Sequence, residues 1–271
     1  MICSLNITVQ ERQGRSYLKD VFVTPPFRVV PVGQHKSDGA AYLMVMSTSP
    51  GILSGDEYRI SIRVRENARL QLQSQSYQRL YNMQHQASQH MTVTLEQGSA
   101  FAYVPHPVVP HENASFTSIS QVHLADDCTL LMSEIITCGR KHHGEVFKYR
   151  HFHNLVQVYH RQKLVFKDNV LLQPDQMPLS ETGLLEGYTH QGTLVYLHTG
   201  TTPAAAHIDR FFALMSEEQD IAFGISALQH NGFVLRILGN GGEQLYNCFL
   251  KVQQYLWEDQ YTAAPLKYAY S

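Results

Sequence analysis

Tryptophan appears once and cysteine four times in these 271 residues, and both scarcities narrow the chemistry. The cysteines stand at 3, 128, 138 and 248, so no C-x-x-C pair exists to seed a zinc ribbon or a redox centre, and they read as reduced thiols. Charge is thin as well. Asp, Glu, Lys and Arg make up 16% of the chain and sum to −2 at pH 7, which leaves no strongly basic face of the kind nucleic acid requires. No apolar run approaches the roughly 20 residues that span a bilayer. The first fifteen residues include Glu11, Arg12 and Arg15 and no apolar core of a signal peptide. A cytoplasmic chain is expected, with no membrane or nucleic-acid partner and with the sequons at Asn6 and Asn113 unused, because glycosylation follows export. G-x-S-x-G, H-E-x-x-H and a Walker lysine are all missing. No residue is assigned as catalytic, and the chain is not read as an enzyme.

What is present is a period of two. Ile60, Ile62 and Val64, then Leu70 and Leu72, then Met91, Val93 and Leu95, then Val122 and Leu124 alternate with polar residues, the pattern of strands with one buried and one wet face. Arg59, Arg63, Arg65 and Arg69 fall between apolar residues and are expected on one solvated strand face. Ala41–Met46 and Thr129–Ile136 are apolar on both parities and are expected between layers. A mainly β body is thus expected over residues 1–198, either a sandwich or a coil of stacked sheets.

The remainder, 199–271, changes period. Thr202-Pro203 looks like a helix start, and Ile208, Phe211, Phe212 and Met215 share a stripe, predicting a helix over 204–217. Strands over 221–228 and 233–238 joined through Asn231-Gly232, and a second helix over 242–257, complete a β-α-β-β-α portion with the strand near 194–199. No Gly/Ser/Pro-rich linker precedes it, so this portion is expected to pack on the body as one domain. Gly239-Asn240-Gly241-Gly242 reads as a strand-to-helix turn and not as a phosphate loop.

Three segments put Gly or Pro where a strand pattern stops and set a charge beside it: SPGILSGDEY at 49–58, PHPVVPHENASF at 105–116 and CGRKHHGEVF at 138–147. Pro50, Gly51, Gly55 and Asp56 form the first. Pro105, Pro107, Pro110, Asn113, Ala114 and Phe116 form the second, and Glu134, Gly139, Arg140, Gly144, Glu145 and Phe147 the third. In this order, with SQSYQRLY at 74–81 between them, they resemble the UreD/UreH family of urease accessory proteins from about Thr24 to Tyr188. The resemblance implies a β-solenoid-like, helical stacking of sheets with two helices. It also implies a non-enzymatic scaffold that binds apo-urease and a UreF-like partner, and through it a UreG-like GTPase, and that helps deliver nickel. No cofactor is expected to be tightly bound, and Ni2+ is expected only in transit. The rival readings are a β-solenoid enzyme acting on polysaccharide, which would need convergent carboxylates along an open groove, and a purely structural interaction module.

The family's expected ion path singles out Asp56, Glu134 and Glu145, since a carrier that releases its ion needs sparse oxygen ligands. The alternative for Glu145 is a structural ion pair with Arg140. Cys138, His142 and His143 are candidate metal ligands, although adjacent histidines on a strand would point to opposite faces. His106, His111 and Glu112 are further candidates. Pro105, Pro107, Pro110 and Arg140 are expected to shape architecture or face a partner.

Overall fold

The computed structural model describes residues 1–33, 36–201 and 207–261. Its strands are β1 (Ile2–Arg12), β2 (Arg15–Val23), β3 (Phe27–Pro31), β4 (Ala41–Ser47), β5 (Glu57–Val64), β6 (Arg69–Ser74), β7 (Gln78–Leu80), β8 (Ala87–Leu95) and β9 (Ala100–Tyr103). They continue as β10 (Val108–Pro110), β11 (Ser115–Leu124), β12 (Thr129–Thr137), β13 (His151–His160), β14 (Lys163–Leu172) and β15 (His190–His198). Then come helix α1 (Ile208–Ser216), β16 (Ala222–Ala227), β17 (Gly232–Gly239) and helix α2 (Gly242–Tyr261).

From β4 to β13 the chain, apart from the short β7 and β10, alternates between two sheets. The first runs β14-β13-β11-β8-β5-β1-β2, with β1, β5, β8, β11 and β13 all parallel. The second runs β16-β17-β15-β12-β9-β6-β4-β3, with β4, β6, β9 and β12 parallel and the short β7 and β10 paired beside it. Antiparallel hairpins end both sheets, β1–β2 and β13–β14 in the first, β3–β4 and β16–β17 in the second. Among the described residues the protein is mainly β with two helices, as the residue pattern predicts. The sheets do not close on themselves, and the flanking hairpins interrupt the alternation, so the topology does not establish the solenoid-like type.

Between the sheets lies the larger core. Leu5, Ile62, Val93, Val122 and Phe152 from the first sheet meet Leu70, Phe101, Leu130 and Ile136 from the second. A second core fills the other face of the second sheet, where Leu131, Ile135, Leu194 and Leu235 are covered by Phe211 and Met215 of α1 and by Leu245, Cys248, Phe249, Val252 and Leu256 of α2. β12 is therefore packed on both faces, which is why its sequence is apolar at both parities. Gly192 on β15 is required by this layer, because a Cβ there would stand 2.8 Å from the Phe249 ring.

Two expectations are corrected. Phe212 does not join the buried stripe of α1; it is 55% exposed and rests against Phe223 with ring centroids 5.2 Å apart. The arginines also divide, since Arg59 and Arg63 lie on the wet face of β5, whereas Arg65 follows that strand, facing Glu96 at 3.4 Å, and Arg69 opens β6. A turn at 65–68 breaks the period between them. The expected helix start at Thr202-Pro203 lies outside the described residues.

A candidate site between the sheets

The inner face of the first sheet is interrupted by a row of polar residues. Gln89 on β8, Ser118 on β11 and Asn154 on β13 are in register across three parallel strands, and Ser120 is in register with Val156, which in turn faces Asp168 on β14. Each stands at a position whose parity elsewhere carries Phe, Val or Leu. Ser118, Ser120, Asn154 and Asp168 are all buried. On the facing sheet, Glu134, Thr193 and Arg236 form a matching row through the β12–β15 and β15–β17 registers.

Hydrogen bonds link the two rows, as buried polar groups require. Gln78 Nε2 donates to Gln89 Oε1 at 3.4 Å, and Gln89 Nε2 to Ser118 Oγ at 3.5 Å. Asn154 hydrogen-bonds the Glu134 carboxyl. At the far end, Arg236 Nη2 donates to Asp168 Oδ1 at 2.6 Å, with Asp168 buried and Arg236 half exposed. Burial, and secondarily the Asp168 charge, push the Glu134 carboxyl up to about 8. That same Glu134, after burial itself, helps push the Tyr103 hydroxyl up to about 12.

A cavity opens at each end of the row. One, of about 130 Å³, is lined by Ile60, Leu72 and Met91 together with Ser74, Gln78, Gln89, Tyr103 and His106. The other, of about 30 Å³, is bounded by Glu134, Asn154, Asp168 and Thr193, and it exceeds the roughly 10–15 Å³ that a water needs.

Of the three carboxylates singled out from the sequence, only Glu134 lies on this row. Asp56 closes the turn before β5: its Oδ2 accepts the Leu53 N–H at 2.9 Å and its Oδ1 is 3.3 Å from the N-terminal ammonium. Glu145 is held by Arg140, whose Nε donates to it at 2.9 Å and whose Nη2 makes a second contact, and it accepts the Glu112 N–H at 3.1 Å. The guanidinium holds this carboxyl below its ordinary value. Gly139 makes the turn possible: its φ is +116°, and a Cβ there would lie 2.8 Å from the carbonyl oxygens of Glu145 and Pro110.

The other candidates are scattered. Cys138 is buried, which raises its thiol, while His142 and His143 are exposed on a single 3-10 turn, Lys141–His143. His106 Nδ1 lies 2.9 Å from Ser74 Oγ and its ring stacks on Tyr246 at 4.4 Å; His111 lies against Tyr81 at 4.7 Å, and Glu112 is exposed. Pro107 accepts the Gln78 N–H at 3.0 Å, Pro110 pairs in register with Leu80, and Pro105 lines the larger cavity. Among the described residues, no three His, Cys, Asp or Glu side chains gather closely enough to hold a metal ion.

A family model described as UreD urease accessory protein matches residues 3–268, well beyond the Thr24–Tyr188 span of the motifs. The chain belongs to the UreD urease accessory protein family. It is 51% identical over 257 residues to a urease accessory protein UreD of Flavobacterium johnsoniae, covering 95% of this chain and 93% of that one. A UreD of Acetivibrio thermocellus is 31% identical, covering 93% and 96%, and one of Haemophilus influenzae 30%, covering 90% and 94%. The family's role is in urease maturation, as an accessory protein and not as a catalyst, which removes the polysaccharide-acting enzyme as a rival. Among the described residues no helix is long and apolar enough to cross a membrane.

Proposed function

We propose that this chain is a cytoplasmic scaffold that binds apo-urease and a UreF-like partner, and through it a UreG-like GTPase, and that Ni2+ in transit passes along the polar row between the sheets. The observation that carries this reading is the row itself. An interior that could have been filled with Val and Leu instead holds Gln89, Ser118, Asn154, Glu134 and Asp168, joining a cavity of about 130 Å³ to one of about 30 Å³. Burying polar groups costs stability unless each is hydrogen-bonded, and even paired they pack less favourably than Val and Leu, so a continuous row of them supports a ligand-handling reading. Oxygen and amide donors spaced along a passage suit a hard or borderline cation that must move on, since each can replace part of a hydration shell without forming a closed cage. At the narrow end Glu134 carries a proton at neutral pH, which limits the negative charge of the empty passage, and an arriving cation would displace that proton. The alternation of parallel strands supports reading the body as a short coil of stacked sheets packed with its C-terminal portion as one domain.

The test is paired. Glu134→Gln and Asp168→Asn would be co-expressed with urease and the remaining accessory proteins, reading complex yield by co-purification and nickel per urease active site by elemental analysis. The expected outcome is lower nickel with unchanged complex. Glu145→Ala, which removes an architectural contact, is expected to lower the complex itself. Normal nickel in both row variants would sink the path.

A further inference from the structure

At one end of the sandwich three loops are stitched together. The His111 N–H donates to Leu80 O at 2.8 Å, the Asn113 N–H to Lys148 O at 2.9 Å, and the Glu112 N–H to Glu145 Oε2 at 3.1 Å. Arg150 donates to the carbonyls of Asn113 and Met83. Segments 79–83, 111–114 and 139–150 thereby share one surface. Its proximity is felt electrostatically at His111, whose environment is set by burial and then by Arg140, Glu145, Arg79 and His143.

This surface is cationic on a chain that is not. It carries Arg79, Arg140, Lys141, Lys148 and Arg150 against Glu112 and Glu145, five cations to two carboxylates, whereas the whole chain sums to −2. Arg140 neutralises Glu145. Arg79, Lys141 and Lys148 are exposed and have no carboxylate within ion-pair distance among the described residues. The tip is a closed turn, with His143 N–H donating to Arg140 O at 2.8 Å and Gly144 N–H to Lys141 O at 3.0 Å. Val146, 40% exposed, and the half-buried Tyr81, packed on buried His111, add apolar and aromatic surface among the charges. Arg, Tyr and an apolar centre with a charged rim are the make-up of a protein-binding patch.

We infer that the surface formed by segments 79–83, 111–114 and 139–150 docks an acidic segment of another protein. A nucleic acid is the weaker reading, since its phosphate track needs a longer basic stripe than three short loops supply. The placement is independent of the polar row.

The test uses the full chain, a fluorescein-labelled poly-glutamate peptide and a labelled DNA duplex, followed by fluorescence anisotropy. Titrations at about 0.01 M and about 0.15 M salt move the screening length from about 30 Å to about 8 Å. The peptide is expected to bind, more weakly at the higher salt, and Lys141→Glu with Lys148→Glu is expected to weaken it about tenfold, or about 1.4 kcal/mol. Lys19→Glu with Lys163→Glu makes the same change in net charge on exposed sites of β2 and β14 and is expected to leave binding within about twofold, or about 0.4 kcal/mol. Circular dichroism checks that both pairs fold. Absence of salt-sensitive peptide binding, equal loss in both pairs, or tighter binding of the duplex than of the peptide would overturn the proposal.

Discussion

Replacing Glu134 by glutamine isolates the cost of a buried carboxyl. The side chain faces Asn154 and a cavity of about 30 Å³ between the sheets, with Asp168 beside it, and its carboxyl is displaced from 4.5 up to about 8. The folded chain therefore holds this proton more tightly than the unfolded chain. Stability contributed by the protonated form is complete below the ordinary value of 4.5 and is lost as pH rises through about 8. A shift of this size corresponds to on the order of 3–5 kcal/mol between the two protonation states. Glutamine has the shape of the neutral acid, keeps a partner for Asn154 and never ionises. In urea denaturation, wild type and Glu134→Gln should match near pH 4, and the variant should become the more stable by on the order of 3–5 kcal/mol near pH 9. A stability difference that does not change across that range, or a variant that is the weaker of the two at the alkaline end, would refute the assignment of Glu134 to a desolvated position.

Phe249 on α2 is fully buried against Gly192 and the second sheet, so Phe249→Ala should lower the unfolding free energy by about 3–5 kcal/mol in urea denaturation. Gly139→Ala forces a Cβ against two carbonyl oxygens at a φ of +116°, and should cost on the order of 1–3 kcal/mol by thermal melting; an unchanged melting temperature would show that the turn relaxes freely.

Strands such as β1, β5, β8 and β11 are legible because one face of each is wet, and the C-terminal order follows from the change of period near residue 200. The β15-α1-β16-β17-α2 order matches that reading. The polar row was less visible. In β11 the inner positions read Phe116, Ser118, Ser120, Val122 and Leu124; in β13 Phe152, Asn154, Val156 and Val158; in β14 Phe166, Asp168, Val170 and Leu172. One or two polar residues per strand look like tolerated exceptions. Only the cross-strand register, together with the facing sheet, turns them into a row. Arg140 and Glu145, five residues apart around a Gly-bracketed turn, were within reach of a pairing argument; Asp168 and Arg236, 68 residues apart, were not. Phe212 departs from the expected stripe because a nine-residue helix has room for only a narrow buried face, which Phe211 and Met215 fill.

The parallel registers also govern how the chain can be born. Ile60 pairs with Met91, Met91 with Ser120 and Ser120 with Val156, steps of 31, 29 and 36 residues, and in the other sheet Leu70, Phe101 and Leu130 repeat the 31 and 29. Each strand leaving the ribosome thus meets a template finished about thirty residues earlier, an interval of roughly 2–6 s at about 5–20 residues per second. The layer that seals β12 arrives last, because α2 lies about 110 residues downstream of it, or roughly 6–22 s at the same pace. Throughout that interval Leu131 and Ile135 lack the cover of α2, so the nascent chain is most prone to aggregate after its central sheets are paired and before its final helix docks.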